Sequence, residues 1–341
     1  MKKLRAAVIG CGNISVMHLD SIININEAEL VAVCDIKADR ANATAEKYKV
    51  KAYTDYNKMF DEENLDVVHI CLPHYLHTPV ACDAFKKGIN VLSEKPMSIK
   101  YEDAVRAVET ADECGVKYGV IFQCRYNTPI RLVKQRITDG SLGAVRCGRT
   151  TLTWYRSDNY YDSSDWKGTW DKEGGGVIID QAIHSIDLAN WMVDSEPVEV
   201  QSSLHNRNHN NMIVEDSAEG LIKYKNGALL SFFAMNNYFT DEPIEVRLLC
   251  ENGNAVFSYD KAVITYKDGR IETVDNKIDD LLKKSGGKDY WGYSHNVQIA
   301  QFYKAVSGLE ELEISGREAL KIQNIICQIY SNNDSVIKAD K

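Results

Sequence analysis

Asp180 and His184 stand four residues apart in Gly174-Gly175-Gly176-Val177-Ile178-Ile179-Asp180-Gln181-Ala182-Ile183-His184. On a helix, that spacing projects both side chains from one face. A carboxylate beside an imidazole orients the ring and raises its proton affinity. The pair therefore suits the proton half of an alcohol oxidation, in which a histidine accepts the hydroxyl proton as hydride leaves the carbon. A second candidate is Lys95 in Ser93-Glu94-Lys95-Pro96, at the carboxyl end of an apolar, strand-like run. Ligands of α/β sheets collect at such strand ends, and an ammonium there can stabilise negative charge on a substrate oxygen. Alone, a DxxxH pair is more often a surface hydrogen bond, and a Lys-Pro step is usually a loop. The combination carries the weight.

Hydride needs an acceptor, and Gly10-Cys11-Gly12-Asn13-Ile14-Ser15 offers a place for one between a first strand and a helical pattern. Gly10 permits the sharp turn, and Gly12 lets backbone approach a pyrophosphate. The helix N-terminus around Asn13 and Ile14 then presents N–H groups to that anion. Ser15, small enough for close helix–strand packing, stands where GxGxxG has its third glycine. Asp35 ends the next strand, twenty residues beyond Ser15, where a carboxylate binds a ribose 2′-OH and repels a 2′-phosphate. NAD is the expected cofactor ahead of NADP, with Lys37 and Arg40 tempering the preference.

These residues need a scaffold. Short apolar runs at Leu4–Ile9, Leu30–Cys34, Val67–Leu72, Asn90–Leu92 and Tyr118–Phe122 alternate with helical stretches at Ala38–Tyr48, Thr78–Lys87 and Tyr101–Cys114. Continuous apolar strands between helices predict a parallel sheet covered on both faces, a doubly wound α/β domain. After about Arg125 the texture changes. A helix at Ile130–Asp139 and a strand at Val145–Tyr155 precede an aromatic loop, Arg156–Trp170, and the helical pattern Val177–Val193. Hairpin signals follow at Asn226-Gly227, Asn252-Gly253 and Asp268-Gly269. Asp279–Gly292 reads as a loop or short helix, and helices at His295–Ser307 and Arg317–Asn332 close the chain. The expected domains are residues 1–124 for the dinucleotide and 125–341, an α+β unit with a mostly antiparallel sheet, for substrate and oligomerisation.

Composition narrows the partners. The 341 residues carry 40 Lys+Arg against 49 Asp+Glu, a formal charge of −9 that disfavours nucleic acid as the main partner. Nine cysteines, with no CxxC pair, point to a reduced cytoplasmic setting rather than a disulfide framework. No apolar stretch approaches the ~20 residues of a membrane span. The basic and apolar start through Cys11 imitates a lipoprotein signal, but its apolar run is shorter than the roughly 7–15 residues of such a segment. His74 with His77, and His205 with His209, are spaced like metal ligands but lack a third ligand nearby, so no metal is expected.

Separated motifs in order along the chain together resemble the Gfo/Idh/MocA oxidoreductases, the glucose–fructose oxidoreductase and inositol dehydrogenase family. They are the glycine turn, Cys71-Leu72-Pro73-His74-Tyr75-Leu76-His77, Ser93-Glu94-Lys95-Pro96, the Gly174–His184 run, and Trp166-Lys167-Gly168-Thr169-Trp170, with Tyr293-Ser294-His295 near the end. The resemblance runs nearly end to end. It implies a Rossmann domain, a second domain with a large open sheet, and last helices packed near the domain junction. It also implies that Lys95, Asp180 and His184 act together; we favour His184 as general base or acid, with Lys95 polarising the oxygen and Asp180 tuning both. By the same resemblance Leu72, His74, His77, Glu94, Lys95 and Gln123 contact the cofactor. His74 stands where the family more often has asparagine. Trp166 and Lys167 fall nearest the substrate, and Arg125 either contacts substrate or joins the domains.

The loop's Tyr160, Tyr161, Trp166 and Trp170, interleaved with Asp158, Asp162, Asp165 and Lys167, offer apolar faces and polar groups suited to a sugar; a subunit contact or packed loop is the plainer alternative. The expected activity is an NAD-dependent dehydrogenase of CH–OH donors, acting on a ring alcohol of a sugar, sugar derivative or cyclitol. Two alternatives are glycoside cleavage by transient oxidation on retained NAD, and a non-enzymatic NAD or sugar sensor. A homodimer or homotetramer is expected through the sheet strands Leu221–Tyr224 and Leu229–Ala234.

Overall fold

A computed structural model describes residues 3–276, 294–331 and 337–338. The chain divides into two compact units, Met1–Gln123 with Ile278–Leu320, and Cys124–Lys277 with Lys321–Lys341.

In the first unit, strands β1 (Leu4–Ile9), β2 (Ala28–Cys34), β3 (Lys51–Tyr53), β4 (Val67–Ile70), β5 (Asn90–Ser93) and β6 (Tyr118–Val120) alternate with helices. These are α1 (Ser15–Ile23), α2 (Ala38–Tyr48), α3 (Tyr56–Glu62), α4 (His74–Lys86) and α5 (Tyr101–Glu113). The six strands are parallel, in the order β3-β2-β1-β4-β5-β6. The order reverses between β1 and β4, and the crevice beyond their carboxyl ends is where such sheets hold ligands. Ala6 through Ile9 and Val67 through Ile70 are buried on both faces of the sheet, so these strands read as unbroken apolar runs, interrupted only by His69.

The second unit begins with a short turn at Gln123–Tyr126, whose first residue is counted with the first unit, and continues with α6 (Thr128–Thr138), β7 (Val145–Thr153) and α7 (Asp158–Asp162). A π-turn at Ile178–Ala182 leads into α8 (Ile183–Val193). Strands β8 (Pro197–Asn206), β9 (Ser217–Tyr224), β10 (Leu229–Met235), β11 (Glu245–Cys250), β12 (Gly253–Phe257), β13 (Lys261–Tyr266) and β14 (Ile271–Asp275) follow. Helices α9 (His295–Val306) and α10 (Gly316–Ser331) and a short β15 (Ile337–Lys338) complete the described chain. The sheet runs β14-β13-β12-β11-β7-β10-β9-β8-β15, antiparallel except where β10 meets β7 and β15 meets β8. Along β10, Leu230, Phe232 and Ala234 point into the core while Leu229 and Phe233 are exposed, which leaves one sheet face partly open.

Helix α9 groups with the first unit and packs Ile299, Phe302 and Tyr303 into the core of β1, β4 and α1. The three-residue β3 and the polar-rich α3 were too short to stand out by periodicity. Asn226-Gly227 and Asp268-Gly269 make their turns with glycine φ of 83° and 88°. The hairpin between β11 and β12 turns at Glu251–Asn252, and Gly253 opens β12, where a Cβ would run into the Thr265 carbonyl. The reading of Asp279–Gly292 and the Tyr293 part of the closing motif lie outside the described residues.

Candidate active site

In the first unit the glycine turn closes tightly. Gly10 has φ of 93°, its N–H donates to the Cys34 carbonyl at 2.7 Å, and a Cβ would strike the Cys71 carbonyl. Only glycine fits there. A Cβ on Gly12 would meet nothing within 4 Å, so this position opens onto space at the start of α1. Asn13 is exposed and Ile14 half-buried beside it, and Ser15 is buried with its hydroxyl donating to the Gly12 carbonyl at 2.6 Å. Asp35 follows β2 and accepts the Cys11 and Lys37 backbone N–H groups at 2.9 and 2.8 Å. Its carboxylate is thereby fixed next to the glycine turn. This cradle, with one glycine crowded and the other open, fits a dinucleotide.

Beyond β4 and β5 the expected contacts separate. Leu72 and Lys95 are half-buried, and His74, Glu94 and Gln123 are buried. The Lys95–Pro96 peptide is cis. His77, expected beside the cofactor, faces two backbone carbonyls, Pro96 O and Leu72 O, each at 2.7 Å. Only a protonated ring donates to both, and burial works against that charge. Its evident work is to tie the turn after β4 to the turn after β5. Glu94 gathers His18 Nε2 at 3.0 Å and His295 Nε2 at 3.2 Å. Sequence spacing missed this cluster because its members come from α1, β5 and α9. Among the described residues, His18, Glu94 and His295 are the one group whose ligand atoms, all within 4.8 Å of one another, could hold a metal ion.

In the second unit the triple glycine has a packing reason. A Cβ on Gly176 would strike the Glu215 carbonyl, and one on Gly175 the Tyr330 hydroxyl. The buried Glu215 carboxylate accepts from Gly176 N, Ile178 N and the Tyr330 hydroxyl, and so caps the start of the π-turn. Asp180 lies in that turn, an uncommon element often found at functional sites. Its Oδ2 accepts from the Tyr160 hydroxyl at 2.8 Å and from Gln181 Nε2 at 2.5 Å, with Lys167 Nζ at 4.0 Å. Lys167 Nζ also sits 3.4 Å from the centre of the Tyr160 ring and 5.4 Å from that of Trp166. Asn236 extends the network, donating to Gln181 Oε1 and the Tyr161 hydroxyl at 2.9 and 2.6 Å. His184, buried in the first turn of α8, follows Asp180 by four residues across the π-turn.

Residues expected from sequence thus meet partners that sequence did not name. Tyr160 was legible only as part of an aromatic loop, and Gln181 and Asn236 gave no signal. Glu173, fully buried near this cluster, has its carboxyl pushed well above the usual range by burial and the Asp180 charge. Arg125, expected either to contact substrate or to join the domains, makes a bidentate pair with Asp187 at 2.8 and 2.5 Å, both nearly inaccessible, with Trp191 against the guanidinium. His205 pairs with Glu219, while His209 lies against Asp216 and the Arg156 carbonyl, so these two histidines share no ligand position.

Comparison with known proteins fits this arrangement. Residues 4–122 match the oxidoreductase family with an NAD-binding Rossmann fold, and residues 130–256 match the GFO/IDH/MocA C-terminal domain. The chain belongs to the GFO/IDH/MocA oxidoreductase family. D-glucoside 3-dehydrogenase of Escherichia coli (strain K12) is 27% identical over 97% of this chain and 96% of its own. Myo-inositol 2-dehydrogenase of Thermotoga maritima is 28% identical over 66% of each chain. The crystal structure of the WlbA dehydrogenase from Bordetella pertussis, in complex with NADH and UDP-GlcNAcA, superposes with a TM-score of 0.84 at 26% identity. That match covers 97% of this chain and 96% of WlbA. Among the described residues no helix is long and apolar enough to cross a membrane.

Proposed function

We propose that this GFO/IDH/MocA protein is an NAD-dependent dehydrogenase of a ring secondary alcohol in a sugar, sugar derivative or cyclitol. The observation that carries the reading is Asp180, held by Tyr160, Gln181 and Lys167 four residues before His184. NAD, when bound, supplies the hydride acceptor. Gly10, Gly12 and the start of α1 hold its pyrophosphate, and Asp35 takes a ribose hydroxyl, which favours NAD over NADP. His184 accepts the substrate's hydroxyl proton, Lys95 stabilises the negative oxygen, and Asp180 orients the proton acceptor. Trp166, Tyr160 and Lys167 supply the mixed apolar and polar wall that a sugar requires.

The D-glucoside and myo-inositol dehydrogenases and the sugar-nucleotide complex of WlbA support a carbohydrate or cyclitol substrate. Nine free cysteines support a reducing cytoplasmic setting. Exposed Leu229, Phe233 and Leu249 on the open sheet support a homodimer or homotetramer built on that face.

NADH absorbance with a panel of polyols, sugars, glycosides and nucleotide-sugars tests the proposal, with NADP and a Lys95→Ala variant alongside. The expected result is a substrate-dependent rise with NAD that Lys95→Ala abolishes. A flat trace over the panel would overturn it, and NAD retained through purification would then favour cleavage by transient oxidation.

A further inference from the structure

Five buried residues of the first unit form one hydrogen-bonded chain: Tyr303 and His295 on α9, His69 on β4, His18 on α1 and Glu94 after β5. His69 Nε2 lies 3.0 Å from the Tyr303 hydroxyl, and His69 Nδ1 lies 2.8 Å from His18 Nδ1. His18 Nε2 and His295 Nε2 converge on Glu94 Oε1, while the Lys95 backbone N–H points to Glu94 Oε2 at 3.3 Å.

The charge of one group fixes the direction of every bond. An ionised carboxylate only accepts, so His18 and His295 both donate from Nε2. A neutral His18 then accepts at Nδ1, which makes His69 the donor there. His69 in turn accepts at Nε2 from the Tyr303 hydroxyl. Each bond along this path then has one donor and one acceptor. Burial holds His18 and His69 below the usual histidine range. Burial opposes ionisation of Glu94 too, but the two imidazole donors outweigh it and hold its carboxyl well below the usual range.

We propose that this chain fixes a buried negative charge at Glu94 that makes the first unit bind the oxidised, cationic dinucleotide more tightly than the reduced one. This rests on the NAD reading above. The argument is topological and electrostatic. Asp35 and the glycine turn assign the β1–β2 side of the sheet to one mononucleotide half, so the β4–β6 side receives the other. The oxidised ring carries one positive charge that the reduced ring lacks. Glu94 lies on that side, next in sequence after β5. Cys71 and His77 are the buried titratable groups that feel its charge from β4's end and α4; Cys71 is pushed further toward the neutral thiol. Lys95 has the opposite charge but is only half-buried, so water screens it more than it screens Glu94.

Dissociation constants for NAD⁺ and NADH, measured by titration calorimetry on the full chain, test the inference. In Glu94→Gln the preference for NAD⁺ falls by about tenfold, the scale of one charge acting at moderate distance inside a protein. Tyr303→Phe, a milder change that keeps the core volume, moves the ratio the same way by a smaller factor. Histidine ¹⁵N NMR supplies a readout independent of the cofactor: His69 is the Nδ1–H tautomer and His18 the Nε2–H tautomer, both neutral at pH 7. Binding of both forms with an unmoved ratio in Glu94→Gln overturns this inference alone. The opposite His69 tautomer overturns it as well, as does a tightly held divalent cation on His18, Glu94 and His295 whose removal changes the ratio. Failure of the unmodified protein to bind either form overturns the NAD reading and this inference together.

Discussion

The Tyr160 hydroxyl donates to Asp180 Oδ2 across 2.8 Å, within a single unit of the chain. Burial, then the Asp180 charge, raises Tyr160 well above the usual tyrosine range, so the phenol stays a donor at any working pH. Tyr160→Phe therefore removes one donor from Asp180 without emptying the wall of the site. The expected outcome is a fall in kcat/KM of about tenfold, the weight of one hydrogen bond to a charged group, with cofactor affinity unchanged. Steady-state kinetics and a cofactor titration check the two halves separately.

The two glycines of the first turn fail in different ways. Gly10→Ala puts a methyl against the Cys71 carbonyl at a left-handed φ of 93°, so the fold itself suffers, by about 1–3 kcal/mol or more. Gly12→Ala meets no protein atom within 4 Å, so the protein stays as stable, and under the proposed function the added methyl enters the cofactor's space. Thermal melts with and without NAD distinguish them. Gly10→Ala lowers the midpoint of the bare protein, whereas Gly12→Ala lowers only the shift that NAD produces.

Asp187→Ala takes away the bidentate partner of the buried Arg125 guanidinium. For a buried pair that is worth about 3–5 kcal/mol of stability. Urea denaturation of Asp187→Ala measures it. A substrate role for Arg125 predicts a KM effect with little change in stability, the opposite pattern.

Glu215 gives a pH signature. Burial lifts its carboxyl from 4.5 to about 7, against the Ile178 N–H and Tyr330 hydroxyl that pull it down. The folded value lies above the unfolded one, so the protonated form stabilises the fold fully below about pH 4.5, and that contribution is lost as pH rises through about 7. The stability of the unmodified protein relative to Glu215→Gln therefore falls by about 3 kcal/mol between pH 4.5 and pH 8. Denaturation of both proteins across that range reads it directly, and parallel curves would contradict it.

Period and punctuation made much of this molecule readable. The run Leu4–Ile9 appears as β1 with the same ends, and Ala38–Tyr48 as α2, because an apolar strand and an amphipathic helix are local patterns. The glycine turn and Asp35 could be placed because a strand, a turn and a second strand fix their spacing. What escaped has a common cause. The Tyr160–Asp180 bond joins the short helix α7 to a π-turn, Glu94 meets its histidines from α1 and α9, and Arg125 finds Asp187 across 62 residues of chain. Those partners are set by tertiary packing, and no window of a dozen residues contains both ends. The π-turn was hidden for another reason: its residues carry the same apolar pattern as the α-helix it enters.

The return of α9 to the first unit has a consequence for synthesis. His69 and Tyr303 bond across 234 residues of chain. At about 5–20 residues per second, a ribosome takes on the order of ten to fifty seconds to make the stretch between them. Throughout that interval the nascent parallel sheet lacks Ile299, Phe302 and Tyr303 from its core. The early sheet is thus a client for chaperones that shield apolar surface, and a chain released after Gln123 is prone to aggregate rather than persist as a small NAD-binding module.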